Sequence, residues 1–359
     1  MARITSLNAH EPPPEAIRLR YKHYFKASPA DIAADPSIVD LQTLDPDGLP
    51  DHIALLRWIP AENLQSAFAK FAGMKTDMPL MQDAPVFAHR SVTGLHMVPA
   101  LFPPEIQIKL LSRLLHRDLP NSDHKTNLHL HYNVTYPVRS NGVTEYHDTT
   151  VSKSIRVDQQ TLSFFEDDQT RILHAKDPAV HKPLSMQNML SKKLRWVTLG
   201  GQYNWTSKVY PTERPPAFPE DVADLLRAAF PKTEPEAAIL NLYSPGNTLS
   251  PHRDVSEECD AGLISISFGC DGLFLISQDD GSGCEIIRLR SGDAVYMDGE
   301  SRFAWHAVPK IVPETCPSSL ADWPCILGDE KASRYRSWKG WMSNKRVNLN
   351  VRQMVTHQD

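Results

Sequence analysis

The sequence predicts an α+β chain, with a C-terminal β barrel or sandwich behind a mainly helical N-terminal extension. Three observations predict it. From Arg195 onward, apolar runs of about six residues recur between turn signals such as Ser244-Pro-Gly246 and Ser291-Gly-Asp293. Ahead of them, apolar residues recur at helical spacing. Proline is frequent, 29 of 359 residues, and glycine sparse at 16, as expected for long ordered loops around a core.

The elements follow in order. Residues 15–26 carry Ile17, Leu19, Tyr21 and Tyr24 among basic residues, and 60–73 open with Pro-Ala-Glu, so both read as helices. Proline and Asp clusters at 45–50 and 76–85 punctuate this region, and residues 1–90 form the extension. Residues 91–359 form the second domain. It opens with a short strand at 94–99 and a helix at 105–115, where Ile106, Leu110, Leu111 and Leu114 share one face. Within 116–195, His129-Leu-His131 alternates as a strand would, putting two imidazoles on one face. No third ligand stands near them, so an exposed strand is the plainer reading. The β core spans about 195–359, with strands at 195–199, 238–243, 263–268, 273–276, 285–290, 294–297 and 346–351. A turn at 279–283 separates two of them, and a long insertion spans about 309–341.

Charge and composition exclude some roles. No apolar run approaches the ~20 residues that span a bilayer, so no membrane role is expected. Five cysteines without a C-x-x-C pair argue against a disulfide scaffold and for a reducing compartment. An intracellular monomer is expected, in nucleus or cytoplasm; Arg3 ahead of the first acid leaves a mitochondrial address open. The net charge of −5 does not suggest a polyanion partner, but its distribution does. Residues 178–212 contain no acid, yet hold Lys192, Lys193 and Arg195; 331–358 contain none, yet hold Lys331, Arg334, Arg336 and Lys339. Tyr335, Trp338 and Trp341 interleave with the second run, a composition suited to phosphates and planar bases. A solvated basic face is the competing reading.

His252 and Asp254, two apart, leave one face of an extended backbone. His306 follows 52 residues after Asp254, at the close of another strand. Two His and one carboxylate with open positions is the facial arrangement of non-haem Fe(II) oxygenases. Arg346-Val-Asn-Leu-Asn-Val-Arg352 alternates strictly, polar one way and apolar the other. In a generic sandwich the polar row faces water. In a barrel with a cavity, its two guanidiniums would clamp a dicarboxylate, and Asn241 and Tyr243 share the parity that would add amide and phenol donors.

Asn241-Leu-Tyr243, His252-x-Asp254, Ser291-Gly-Asp293, Arg302 before His306, and Arg346-x-Asn348-x-x-x-Arg352 stand in an order that resembles the AlkB family. Lys193-Leu-Arg-Trp-Val-Thr-Leu-Gly200, Tyr203-Asn-Trp205 and Leu263-Ile-Ser-Ile-Ser-Phe-Gly269 are similar to its eukaryotic AlkB homologue 1 branch. The resemblance covers about residues 90–359. It implies a double-stranded β-helix (jelly roll) and a dioxygenase using Fe(II), 2-oxoglutarate and O2. It also implies His252, Asp254 and His306 as metal ligands, and Asn241, Tyr243, Arg346, Asn348 and Arg352 as 2-oxoglutarate contacts. The implied reaction is oxidative demethylation of methylated bases in DNA or RNA, such as tRNA, releasing formaldehyde, succinate and CO2. The target base would be unpaired, bulged or flipped out. Substrate contacts are expected from Tyr203, Trp205, Ser256, Arg302 and the basic residues Lys192, Lys193, Arg195, Arg334, Arg336 and Lys339. Ser256 stands where the bacterial enzyme carries an acid, so base preference does not transfer. A protein or small-molecule hydroxylase, and a silent nucleic-acid-binding barrel, are the alternatives.

Overall fold

The computed structural model describes residues 7–73, 82–140, 143–148, 160–211, 213–277, 283–326 and 332–356. Lys331, residues 76–81 of the proline cluster and 279–282 of the predicted turn lie outside the described residues.

The extension begins with α1 (Glu15–Lys26), which buries Ile17 and Tyr24, and α2 (Pro29–Ala34), closed by a Ser28–Asp31 capping box. Strands β1 (Ile38–Asp40) and β2 (Ile53–Ile59) follow, then α3 (Ala61–Ala72), which buries Leu64, Phe68 and Phe71. After β3 (Ala84–His89) and β4 (Leu95–Val98) comes α4 (Pro104–Ser112). A small sheet of β5 (Thr135–Ser140), β6 (Val143–Asp148) and β7 (Gln160–Thr161) and a ladder of β8 (Ile172–Leu173) with β9 (Leu184–Ser185) precede the main β region.

That region supplies β10 (Trp196–Gly200), β11 (Ala237–Tyr243), β12 (Leu249–His252), β13 (Leu263–Gly269), β14 (Gly272–Ser277), β15 (Glu285–Leu289), β16 (Ala294–Met297), β17 (Trp305–Ile311) and β18 (Arg346–Arg352). They build two sheets, ordered β10-β11-β18-β13-β16-β4-β3-β2 and β1-β15-β14-β17-β12. Phe274, Ile276 and Ile287 of the smaller sheet pack on Leu263, Val295 and Met297 of the larger, which is the jelly-roll core. On the opposite face of the larger sheet, Val347, Leu349 and Val351 join a second core with α3, α4 and the helix Glu220–Ala229. Strand β18 is therefore buried on both faces. Its polar row cannot reach water and must find partners inside.

Four expectations need correction. The extension is not a separate helical unit: β2 and β3 continue the larger sheet across the boundary at 90, with Phe87 paired to Met97, and β1 pairs parallel to β15. These strands escaped notice because edge strands carry only weak alternation. Residues 127–130 form a 3-10 helix, not a strand. Its Thr126 caps the turn, and His129 is tied to Thr126 and Tyr136 while His131 lies against His181. The insertion begins later than 309, because β17 runs on to Ile311 through Pro309; His306 accordingly sits near the start of its strand, not the close. Tyr335, Trp338 and Trp341 are core aromatics, packed with Phe165 and Trp323, and offer no stacking surface.

Candidate metal centre and its cavity

Strands β12 and β17 pair antiparallel with His252 opposite His306, and the chain turns just beyond β12 to deliver Asp254. One ligand atom from each residue lies within 4.8 Å of the others. His252 Nε2 is 3.8 Å from Asp254 Oδ1, and His306 Nε2 is 3.9 Å from Asp254 Oδ2. Each imidazole is fixed by its other nitrogen. Nδ1 of His252 meets the Ser250 carbonyl at 2.9 Å, and Nδ1 of His306 the Ala304 carbonyl at 3.1 Å. A carbonyl only accepts, so both Nδ1 atoms carry hydrogen and both Nε2 atoms present lone pairs to the centre. The buried His306 Nε2 has no hydrogen-bond partner, as a ligand atom should not. Among the described residues, no other His, Cys, Asp or Glu group gathers this way.

The electrostatics favour a cation here. Burial pushes the Asp254 carboxyl upward, but Arg352 chiefly, with His306, His252 and Arg302, more than reverses this and holds it well below the usual carboxylate range. Burial, then the His252 ring, lowers His306 to about 4, so it is a neutral ligand at pH 7. The residues fit a divalent first-row metal.

The predicted dicarboxylate contacts assemble through strand register. In the β11–β18 ladder Tyr243 stands opposite Arg346 and Asn241 opposite Asn348. Arg346 is 1% exposed, and one of its nitrogens, Nη2, donates to Ser267 Oγ at 2.9 Å. Its Nε and Nη1 have no partner, nor has the buried Tyr243 hydroxyl, whose ring lies 5.5 Å from the guanidinium carbon. A side chain at Gly272 would lie 2.5 Å from Arg346 Nε, so that glycine makes the room. Burial raises the Tyr243 phenol to about 12 against the pull of Arg346, so it stays a donor. A buried guanidinium with open donors beside an open phenol calls for an anion. Asn348 is otherwise engaged: its Nδ2 donates to Ser265 Oγ and the Ile266 carbonyl of β13. Arg352 binds Asp254 through Nη2 at 2.5 Å and approaches Glu257 through Nε at 3.1 Å, leaving Nη1 unpartnered.

A cavity of about 430 Å³ reaches the centre, lined by His252, Asp254, Asn241 and Arg352 and, on the opposite wall, by Tyr203, Trp205 and Ser256. Tyr203 stands edge-on to Trp205 at 5.0 Å and to Tyr210 at 5.2 Å, so the wall is aromatic. Ser256 Oγ donates to the Lys208 carbonyl. Arg302 is not a substrate contact. It is 1% exposed and clamps the turn after β12, donating to the Ala261 and Asp254 carbonyls and to Glu257. Lys192, Lys193, Arg195, Arg334, Arg336 and Lys339 are exposed and none lines the cavity; Arg334 faces Glu166 and Lys339 faces Asp322. Residues missed from sequence are Glu257, Tyr210, Lys208, Arg253 and Asn350. Asn350 shares the parity of β18, and Glu257 follows Asp254 by three, but neither spacing is distinctive alone.

Comparison with known proteins gives three relatives and a family. Residues 146–352 match the 2OG-Fe(II) oxygenase superfamily. The chain is 44% identical to the N6-methyladenosine RNA demethylase ALKB1 of Pyricularia oryzae, over 98% of each chain. It is 36% identical to the tRNA demethylase abh1 of Schizosaccharomyces pombe, over 75% of this chain and 82% of that one. It is 33% identical to the nucleic acid dioxygenase ALKBH1 of Homo sapiens, over 55% of this chain and 54% of that one.

Proposed function

The chain belongs to the 2OG-Fe(II) oxygenase superfamily, as an enzyme of the AlkB homologue 1 type; from that premise we propose that it oxidatively demethylates N-methylated bases in nucleic acid, RNA foremost. The relatives' activities support the substrate class. The observation that carries the reading is the cavity itself, with a His-Asp-His centre at one wall and Tyr203 and Trp205 at the other. That arrangement suits a planar base that must present one methyl group to a fixed point.

His252, Asp254 and His306 would hold Fe(II). Arg346 and Tyr243 would take one carboxylate of 2-oxoglutarate, and Asn241 with Arg352 would steady the other end. Bound Fe(II) supplies the redox chemistry that couples decarboxylation of 2-oxoglutarate to hydroxylation of the methyl carbon, whose product breaks down to formaldehyde. The chain's own groups do the rest. Ser250 and Ala304 fix the ligand tautomers, Arg352 orients Asp254, and the aromatic wall excludes water and aligns the base. A panel of RNA and DNA oligonucleotides, each with one N-methylated base, tests the proposal. Formaldehyde from at least one, dependent on Fe(II) and 2-oxoglutarate, is expected. Turnover of peptides or metabolites alone would overturn it.

A further inference from the structure

Two cations in the cavity wall have partners that an anion would outcompete. Lys208 stands in the loop after Trp205 with a left-handed backbone, φ 55°, rare for a residue with a side chain. Its main chain is held by Ser256 and its ammonium donates to the Ala9 carbonyl at 2.6 Å. Arg253 lies between His252 and Asp254, with its guanidinium 4.5 Å from the Trp305 ring and 3.7 Å from a Glu11 carboxylate oxygen. The Arg253 side chain is 6% exposed and that of Glu11 49%. Both cations thus meet one short N-terminal strap, and Ala9 itself lines the cavity.

The strap is preformed. Asn8 bends it, its Oδ1 accepting from His10 and its carbonyl from Glu11. Pro12, Pro13 and Pro14 then stiffen the approach to α1. Neither grip is strong: a neutral carbonyl on one side, a half-exposed carboxylate at 3.7 Å on the other. A phosphodiester oxygen offers both cations a charge-assisted bond. We propose that Lys208 and Arg253 form a phosphate subsite for the nucleotide entering the cavity, and that Ala9 and Glu11 occupy it until substrate displaces them. The inference rests on the nucleic-acid reading above, and it identifies where the backbone next to the target base is held.

Glu11→Gln tests it in the full-length holoenzyme, because Glu11 is half-exposed and its removal does not threaten the fold. Its KM for a methylated oligonucleotide at low salt should fall about two- to fivefold, the range of an exposed charge pair. Its KM for the matching methylated nucleoside, which has no phosphate, and its 2-oxoglutarate turnover without substrate should not move. Lys208→Ala should raise the oligonucleotide KM about tenfold or more, and reduce the slope of log affinity against log salt by about one. An unchanged or raised oligonucleotide KM in Glu11→Gln, with wild type releasing formaldehyde normally, overturns the inference alone. Wild type that demethylates no oligonucleotide overturns both this inference and the functional reading.

Discussion

Arg352 and Asp254, 98 residues apart, are joined by a 2.5 Å bond from Nη2 to Oδ2. The last strand of the larger sheet thereby positions the carboxylate that completes the metal centre. Glu257 holds the same guanidinium from its other side, and Arg302 joins Glu257 to the Asp254 carbonyl. Two arginines and two carboxylates, all buried or nearly so, form one compensated unit. Arg352→Ala should therefore act on the fold as well as on co-substrate binding. Leaving two carboxylates without their shared cation should cost about 3–5 kcal/mol of stability, measured by urea denaturation of the metal-free protein. A loss under 1 kcal/mol would show that the pairing is dispensable.

Arg346 should behave oppositely. Its Nε and Nη1 are unpartnered in the chain, so its charge is a cost to folding that the co-substrate would offset. Arg346→Met should leave the denaturation midpoint unchanged or raised, while 2-oxoglutarate affinity falls by about two orders of magnitude. Calorimetry with Mn(II)-loaded protein reads the affinity. Wild-type affinity in this variant would return β18 to a purely structural role.

Arg302→Gln distinguishes clamp from substrate contact. Arg302 touches only the turn between Asp254 and Ala261 and the Phe303 ring, so the change should lower stability and weaken metal binding. The ratio of KM values for oligonucleotide and nucleoside should stay as in wild type. A selective rise for the oligonucleotide would restore Arg302 to the substrate site.

His129 gives a pH signature unconnected with catalysis. Burial first, then Lys125, lowers it to about 4, against an ordinary 6.5. Between those values the unfolded chain binds more protons than the folded one, so stability falls as pH drops from 6.5 toward 4. The advantage of wild type over His129→Gln should shrink by at most about 1.4 kcal/mol per pH unit across that window. Denaturation at pH 7, 6 and 5 checks this, and a gap independent of pH would contradict it. Demethylation at pH 7 should be near wild type in His129→Ala and His131→Ala.

The legible part of the sequence was what local periodicity and strict spacing encode. The helix at 15–26 and the strands at 263–269 and 294–297 announce themselves through apolar pattern and flanking turns. The triad stood out because His252 and Asp254 share a face and His306 follows in a β context. What escaped depends on pairing across distance. β2 and β3 extend a sheet whose other strands lie beyond residue 90, and no local pattern states that partnership. The parity of β18 offered two readings, water or ligand. Only the helices packed behind Val347, Leu349 and Val351 decide that the polar row turns inward. Trp338 and Trp341 mislead for the same reason, since aromatics beside basic residues look alike whether they stack on bases or on Phe165.

The most direct measurement is the ratio of succinate to formaldehyde released from one methylated oligonucleotide, in wild type and in His306→Ala. Coupled chemistry at a His252–Asp254–His306 centre predicts one formaldehyde per succinate in wild type and neither product in the variant, with its fold retained by circular dichroism. Full activity in His306→Ala, or succinate without formaldehyde across every methylated oligonucleotide, would contradict it.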